Sequence, residues 1–386
     1  MKILALGSRP PDALGGAERS LARLMMRLAR THEVLLAVPG QSLPCDPGPQ
    51  DGQPELVALP ETMEPEILER ILCKRIAAGW KPDILVTFDK GCFKNPGILE
   101  VLRRHLPDTP LVVKESTEGK FRRLLSETLP PAQGRYVLEN IHRMVCVSKR
   151  VRANFEEANL FPGRLVDIPN GVDTNRFHPV TPAEKIRIRQ SLGLPDEKMP
   201  LFLVAGRFAE KKNLDMVFGA WFDLERRLGN FGFLLLLGAP HKAYDVPLLD
   251  LFRRELKNVR IVAPVQKDEN LARWYQACDF LLAPTSREGL SNVCLEGMSS
   301  GLFPVVSRAS GYEDLVQGAE TGLLVEERNT SQLIRAMELI LKDPASFSER
   351  GRTHARQVVV SGYDLTLVAQ HYEALFQDCL QELSQQ

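Results

Sequence analysis

The sequence predicts an α/β protein built from two doubly wound, Rossmann-like domains that face a cleft. Three observations predict it. Short apolar runs alternate with amphipathic stretches of about 10–15 residues, the rhythm of right-handed βαβ units over a parallel sheet. The rhythm stops at Ile168-Pro169-Asn170-Gly171-Val172-Asp173-Thr174-Asn175-Arg176-Phe177-His178-Pro179, which is rich in turn residues, and then restarts. The 386 residues suit two domains of ordinary size.

Residues 2–7 are a short apolar run ahead of a Gly/Pro loop and read as a buried first strand. Residues 17–30 follow as an amphipathic helix with Leu21, Leu24, Met25 and Leu28 on its apolar face. Residues 34–38 are a second strand, 46–53 a polar Pro/Gly surface loop, and 64–78 a helix. Lys81-Pro82-Asp83 opens a strand over 84–88, and 111–114 and 143–147 are further strands. After the break come strand 201–205, helix 214–228, strand 233–237, helix 246–256, strand 259–262, helix 269–277 and strand 280–283. A helix from Asn292, strand 303–306, helix 331–342 and a last long helix over 364–383 complete the chain. Ligands of such sheets bind outside the carboxyl ends of the strands.

Composition excludes several classes. Hydrophobic residues are 44% and charged residues 25%, as in an ordinary globular protein, and the formal net charge is zero, unlike a general nucleic-acid binder. Residues 1–176 carry 25 Lys+Arg against 22 Asp+Glu, and the remainder 24 against 27. The seven cysteines (45, 73, 92, 146, 278, 294, 379) form no C-x-x-C and read as buried free thiols of a reducing compartment. The N-terminal apolar run is too short for a signal peptide, and 231–237 is too short to span about 30 Å of hydrocarbon. A cytoplasmic protein is expected.

The chemistry concentrates in two segments. Gly206-Arg207 closes the strand 201–205, and Lys212 follows five residues after Arg207. Cations at a strand end can stabilise a departing diphosphate, Arg as a bidentate clamp and Lys as a point charge. Taken alone, Glu210-Lys211-Lys212 reads more plainly as a solvated loop. The second segment runs from Pro284 to Val306, with Glu288 and Glu296 eight positions apart. Glu288 falls in the loop after strand 280–283. Gly289-Leu290-Ser291 would offer backbone N–H groups at a helix start, with Ser291 as N-cap. Glu296 lies one turn into that helix, where a ribose diol could donate to it. Both carboxylates read equally as ordinary exposed charges. Phosphates at one end and hydroxyls at the other describe a nucleotide-sugar.

Gly15-Gly16-Ala17-Glu18 opens the first helix, where a glycine pair lets backbone approach a ligand or simply makes a tight turn. G-x-G-x-x-G, G-x-x-x-x-G-K-[ST], D-x-D and H-E-x-x-H are absent, so neither a dinucleotide cofactor nor a metal is expected. Arg19, Arg23, Arg27 and Arg30 fall on the helix face opposite the apolar stripe. They read as a solvated face or as a cationic strip for an anionic membrane, which Lys120, Arg122, Arg123, Arg150 and Arg152 could extend.

Together these patches resemble the retaining, GT-B-fold glycosyltransferases of family 4, also called glycosyl transferases group 1. The resemblance covers nearly the whole chain. It rests on Gly15-Gly16-Ala17-Glu18, Val147-Ser148-Lys149, Ile168 to Asp173 ahead of Phe177 and Pro179, and Gly206-Arg207 with Lys212-Asn213. Pro284 through Glu296, Gly301 with Pro304-Val305-Val306, and Thr321-Gly322-Leu323-Leu324-Val325 complete it.

The resemblance implies an acceptor-binding domain over 1–175, a nucleotide-sugar-binding domain over 176–362, and a C-terminal helix, 363–386, crossing back onto the first domain. It implies Arg207, Lys212 and Glu288 as catalytic residues, the first two gripping the donor pyrophosphate. Donor contacts would come from Glu296, Gly289, Leu290, Ser291, Gly206 and Val265, and acceptor-side contacts from Gly15, Gly16, Glu115 and Ser116. The donor would be a UDP-sugar ahead of a GDP-sugar, and the acceptor a glycan, a lipid-linked sugar or a small molecule. No cofactor, metal or nucleic acid is implied; peripheral contact with the inner face of an anionic membrane is expected only where the arginine row serves as a cationic strip. The chain departs from relatives in three places. Lys114-Glu115-Ser116-Thr117-Glu118-Gly119 lacks the usual His, Gly297 replaces an Ala, and Ala263-Pro264-Val265 lacks a common Gly. A nucleotide-sugar 2-epimerase of the same fold and a catalytically silent binding subunit are the alternatives.

Overall fold

The computed structural model describes residues 1–386 except 8–15, 40–53, 60–63, 89–92, 94, 197, 241–244, 266–267, 310 and 386. The chain divides into two compact units, Met1–Gly171 with Leu365–Gln386, and Val172–Asp364. The expected surface loop over 46–53 lies outside the described residues.

Among the described residues the first unit holds seven parallel strands: β1 (Lys2–Leu6), β2 (Glu33–Pro39), β3 (Glu55–Leu59), β4 (Ile84–Phe88), β5 (Leu111–Glu115), β6 (Arg143–Cys146) and β7 (Leu165–Asp167). Their order is β3-β2-β1-β4-β5-β6-β7. β1, β4 and β5 are buried along almost every residue, as strands covered by helices on both faces must be. Helix Gly16–Leu28 lays Leu21, Leu24, Met25 and Leu28 on this sheet. Helix Leu365–Ser384 adds Val368, Tyr372, Leu375, Phe376 and Cys379 to the same core. At about 1.5–3 kcal/mol for each fully buried large apolar side chain, that burial makes the last helix an integral part of the first unit.

Among the described residues the second unit holds six parallel strands: β8 (Leu201–Ala205), β9 (Phe233–Leu237), β10 (Val259–Val262), β11 (Phe280–Ala283), β12 (Phe303–Ser307) and β13 (Leu323–Val325), in the order β10-β9-β8-β11-β12-β13. Phe202 and Phe280 face each other in register on β8 and β11 with ring centroids 4.9 Å apart, and Trp221 of helix Leu214–Leu228 meets Phe202 edge-on at 5.5 Å. In both sheets the order reverses beside the unit's first strand, between β1 and β4 and between β8 and β11.

Two glycines let the carboxyl ends of β8 and β9 close on each other. Gly206 has φ +107°, a conformation L side chains rarely adopt, and a Cβ on Gly238 would lie 1.9 Å from the Gly206 carbonyl oxygen. The Gly206 amide donates to the Leu237 carbonyl at 2.9 Å.

The arginine row of the first helix is only in part a solvated face, with Arg30 exposed. Arg23 is buried, Arg19 and Arg27 are half-buried, and Arg27 Nε donates to Thr366 Oγ1 at 3.4 Å. The last helix packs beside the first and covers that side. Arg150 pairs with Glu118 at 3.2 Å, and Arg152 with Asp167 at 2.7 Å. Arg30, Arg122 and Arg150 remain exposed, so the expected cationic strip is interrupted along the first helix. The thiols are also not uniformly buried: Cys146, Cys278, Cys294 and Cys379 are, Cys73 is exposed, and Cys45 and Cys92 lie outside the described residues.

Candidate active site

The second unit gathers its charged residues at the switch point between β8 and β11. The chain leaves β8 at Gly206 and β11 at Pro284, and the two loops are laced together. Asn213 sits in the left-handed region with φ 48° and ψ 49°, and its Nδ2 donates to the Pro284 carbonyl at 2.6 Å. The Ser286 amide donates to the Lys211 carbonyl at 2.9 Å. Asparagine tolerates that backbone conformation better than most residues. The same residue thus makes the turn and starts helix Leu214–Leu228.

This lacing brings Lys212 Nζ to Glu288 Oε1 at 2.8 Å and Lys211 Nζ to Glu288 Oε2 at 3.4 Å. The Lys212 and Glu288 side chains are 11% and 17% exposed, whereas Lys211 is 42% exposed. Burial disfavours both charges of the inner pair, but each partner more than offsets it for the other. Lys212 is held above the usual lysine range and Glu288 below the usual carboxylate range. The pair is therefore ionised throughout the neutral range.

Arg207 stands exposed at the rim, and its guanidinium makes no hydrogen bond or ion pair among the described residues. Gly289, Leu290 and Ser291 are buried at the start of helix Asn292–Ser299. Ser291 is the N-cap, its Oγ accepting from the Cys294 amide at 3.4 Å. Glu296 is 4% exposed, and its Oε2 accepts from the Tyr275 hydroxyl at 2.8 Å. Val265 is half-buried just beyond β10.

Around these residues lie groups the sequence reading did not single out. Tyr275 occupies the core face of helix Asp268–Ala277, four residues after Leu271, and so reads as ordinary packing. Tyr312 is buried beside the Lys212–Glu288 pair. Its hydroxyl donates to Thr285 Oγ1 at 3.3 Å, and burial pushes the phenol up to about 12. Lys211 was legible only as the neighbour of Lys212.

In the first unit Gly16 is the exposed first residue of its helix, and Gly15 lies outside the described residues. Glu115 ends β5 and is 1% exposed. Its Oε1 accepts from the Lys120 and Phe121 amides at 2.9 and 3.0 Å, capping helix Lys120–Arg123. Expected as an acceptor-side group, it orders the following loop through that cap, and half-buried Ser116 is the next residue toward solvent.

Among the described residues no group of three His, Cys, Asp or Glu is placed to hold a metal ion, and no helix is long and apolar enough to cross a membrane.

Residues 184–358 match the family model described as glycosyl transferases group 1, and residues 14–176 match the one described as glycosyltransferase family 4. The D-inositol 3-phosphate glycosyltransferase of Arthrobacter sp. (strain FB24) is 28% identical over 267 residues, 67% of this chain and 62% of the relative, so the match spans under two thirds of that protein's length. Two solved structures share the fold, which is GT-B. Sucrose-phosphate synthase from Thermosynechococcus elongatus has a TM-score of 0.79 at 21% identity, covering 98% of this chain and 99% of its own. HepE of Anabaena, in complex with UDP, has 0.75 at 17%, covering 98% and 100%.

Proposed function

We propose that this chain, which belongs to the glycosyl transferases of group 1, moves a sugar from a nucleoside-diphosphate sugar to a hydroxyl of a glycan or lipid-linked acceptor, with retention and without a metal. The observation that carries this reading is the arrangement at the switch point of the second unit. A rim cation, Arg207, stands with a half-enclosed one, Lys212, whose charge Glu288 maintains, at the edge where such sheets bind nucleotides.

In this reading Arg207 clamps phosphate oxygens bidentately and Lys212 adds a fixed charge behind them. The bond from the anomeric carbon to the diphosphate oxygen breaks, and the leaving group keeps the electron pair. The acceptor oxygen bonds the same face and passes its proton to the departing phosphate. Negative charge grows on the diphosphate as the bond lengthens, so both cations act more strongly on the transition state than on the bound donor. Glu288 meets donor-sugar hydroxyls, the amides of 289–291 meet phosphate and sugar oxygens, and Glu296 holds the ribose. A UDP-sugar stands ahead of a GDP-sugar in this reading, as the sequence resemblance implies, and HepE, which shares the fold, binds UDP.

The test is incubation with UDP-, GDP-, ADP- and TDP-sugars plus candidate acceptors, following nucleoside diphosphate release and the anomeric product by NMR. One nucleotide class should release diphosphate with an α-linked donor giving an α-linked product. Epimerised sugar without transfer would replace this reading with an isomerase, and inversion would overturn retention.

A further inference from the structure

Glu288 is shared by two lysines, and one of them has no part in the proposed function. Lys212 Nζ lies 2.8 Å from Glu288 Oε1 and Lys211 Nζ 3.4 Å from Oε2, so each carboxylate oxygen faces its own ammonium. Both lysines belong to the single turn Glu210–Lys212 between β8 and helix Leu214–Leu228. That turn is fixed against the loop after β11: the Lys211 carbonyl accepts from the Ser286 amide at 2.9 Å and from Ser286 Oγ at 3.4 Å. The Lys211 backbone is thus held while its side chain stays 42% exposed. Lys212 and Glu288 alone form a pair with no net charge, since the carboxylate that keeps the ammonium ionised also cancels it at a distance. Lys211 changes the sum. Two ammoniums on one carboxylate leave one positive charge over, and exposed Arg207 adds another. The remaining charged residues of these two loops, Glu210 and Arg287, are exposed and opposite in sign. A nucleoside-diphosphate sugar carries two negative charges on its diphosphate at neutral pH, and the released diphosphate nearly three.

We infer that Lys211 is a positioning residue that sets the charge of the donor site: by sharing Glu288 with Lys212 it holds that carboxylate and gives the cluster the net positive charge that attracts a nucleoside diphosphate. This rests on the nucleotide-sugar reading of the same site. Without Lys211 the inner pair would offer the diphosphate a dipole, whose attraction falls off faster with distance than that of a charge. Because Lys211 is partly solvated, its contribution fades as salt shortens the Debye length from about 10 Å at 0.1 M to about 3 Å at 1 M. Glutamine can still donate to Glu288 but carries no charge, so it separates the tie between the two loops from the charge.

The experiment is calorimetric titration of the full chain, wild type, Lys211→Gln, Lys211→Arg and Lys211→Glu, with UDP, GDP, ADP and TDP and with the corresponding nucleosides, at about 0.1 M and about 1 M NaCl. At the lower salt Lys211→Gln should bind the preferred diphosphate about fivefold more weakly, the factor a partly exposed charge supports. Lys211→Glu changes the charge twice over and should lose about 25-fold, while Lys211→Arg keeps the charge and should stay within about twofold of wild type. Nucleoside affinity should be the same in all four proteins, and at the higher salt their diphosphate affinities should converge to within about twofold. Wild-type diphosphate affinity in Lys211→Gln at the lower salt, a loss that persists undiminished at the higher salt, or a loss that Lys211→Arg repeats overturns the inference alone. So does an equal loss for nucleoside and diphosphate. A wild type that binds none of the four diphosphates overturns the nucleotide-sugar reading and this inference with it.

Discussion

The Tyr275 hydroxyl donates to Glu296 Oε2 at 2.8 Å, joining the helix after β10 to the helix after β11 within the second unit. The tyrosine ring is itself held edge-on by Phe177 at 5.7 Å. The carboxylate proposed for the ribose is therefore oriented before any ligand arrives.

Pre-orientation of a ground-state contact should show in KM and not in kcat, since ribose hydroxyls change little as the glycosidic bond breaks. Tyr275→Phe is expected to raise donor KM about 5–10-fold with kcat within about twofold, and Glu296→Ala to raise it further, consistent with one to two hydrogen bonds to a charged group. Steady-state kinetics with varied donor at saturating acceptor decide it. A fall in kcat at unchanged KM would remove Glu296 from the ribose.

Lys212 should behave oppositely. Its contact strengthens as charge builds on the leaving diphosphate, so Lys212→Ala is expected to lower kcat at saturating donor by about 10²–10³, or about 2.7–4 kcal/mol, the range seen for a lost oxyanion donor. The substitution also takes from the half-buried Glu288 its nearer cation, Lys211 being more exposed and 3.4 Å away, so the folded variant is compared by thermal melt before kinetics. Turnover equal to wild type would contradict the assignment.

The sheet cores were legible because buried parallel strands are near-continuous apolar runs such as Leu201-Phe202-Leu203-Val204-Ala205 and Phe233-Leu234-Leu235-Leu236-Leu237. What escaped the sequence reading lacked such a signal. β7 is three residues, Leu165-Val166-Asp167, only partly buried or exposed, and β13 is equally short. Helix Pro182–Leu192 buries only Ile188 and Arg189, so its apolar periodicity is weak. Thr181 does cap it, accepting from the Glu184 amide at 3.3 Å, and Thr-Pro-Ala-Glu was readable as a helix start. At the site, the motif residues Arg207, Lys212, Glu288 and Glu296 stood out by charge and spacing. Tyr275 and Tyr312 did not, because the sequence does not distinguish a tyrosine that only packs from one whose buried hydroxyl has a partner. For the arginine row, helical periodicity showed which residues share a face but not that the last helix covers part of it.

Catalysis should not require a divalent metal. The proposed charge stabilisation comes from Arg207 and Lys212, and the sequence offers no D-x-D to hold a metal against a diphosphate. Turnover in excess EDTA is expected to stay within about twofold of turnover in magnesium, a difference under about 0.5 kcal/mol in the barrier. Complete loss in EDTA with recovery on adding Mg²⁺ or Mn²⁺ would show that the two cations are insufficient.

A last prediction concerns the opposite end of the second sheet, where Asp279 precedes β11. Its Oδ2 accepts from Arg189 Nη2 at 2.7 Å and from the Leu201 amide at 2.8 Å, and its Oδ1 pairs with Lys185. Arg189 is 1% exposed. Burial alone would raise the Asp279 pKa, but Lys185, Arg189 and the Leu201 amide together bring it below the usual aspartate value. A carboxylate depressed on folding contributes stability that is complete above its unfolded pKa, about 3.9, and is lost as pH falls through the lower folded value. Wild type is therefore expected to lose stability steeply below about pH 4. Asp279→Asn leaves two cations without their counter-charge, one of them fully buried, and should cost roughly 3–5 kcal/mol at neutral pH. For a unit of this size that corresponds to roughly 6–20 °C in melting temperature. The variant should also lose part of the wild type's acid dependence, because one of the groups that produces it is gone. Thermal melts of both proteins from pH 3 to 7 check this. Curves that stay parallel down to pH 3 would show that Asp279 does not titrate in the folded protein's acid transition.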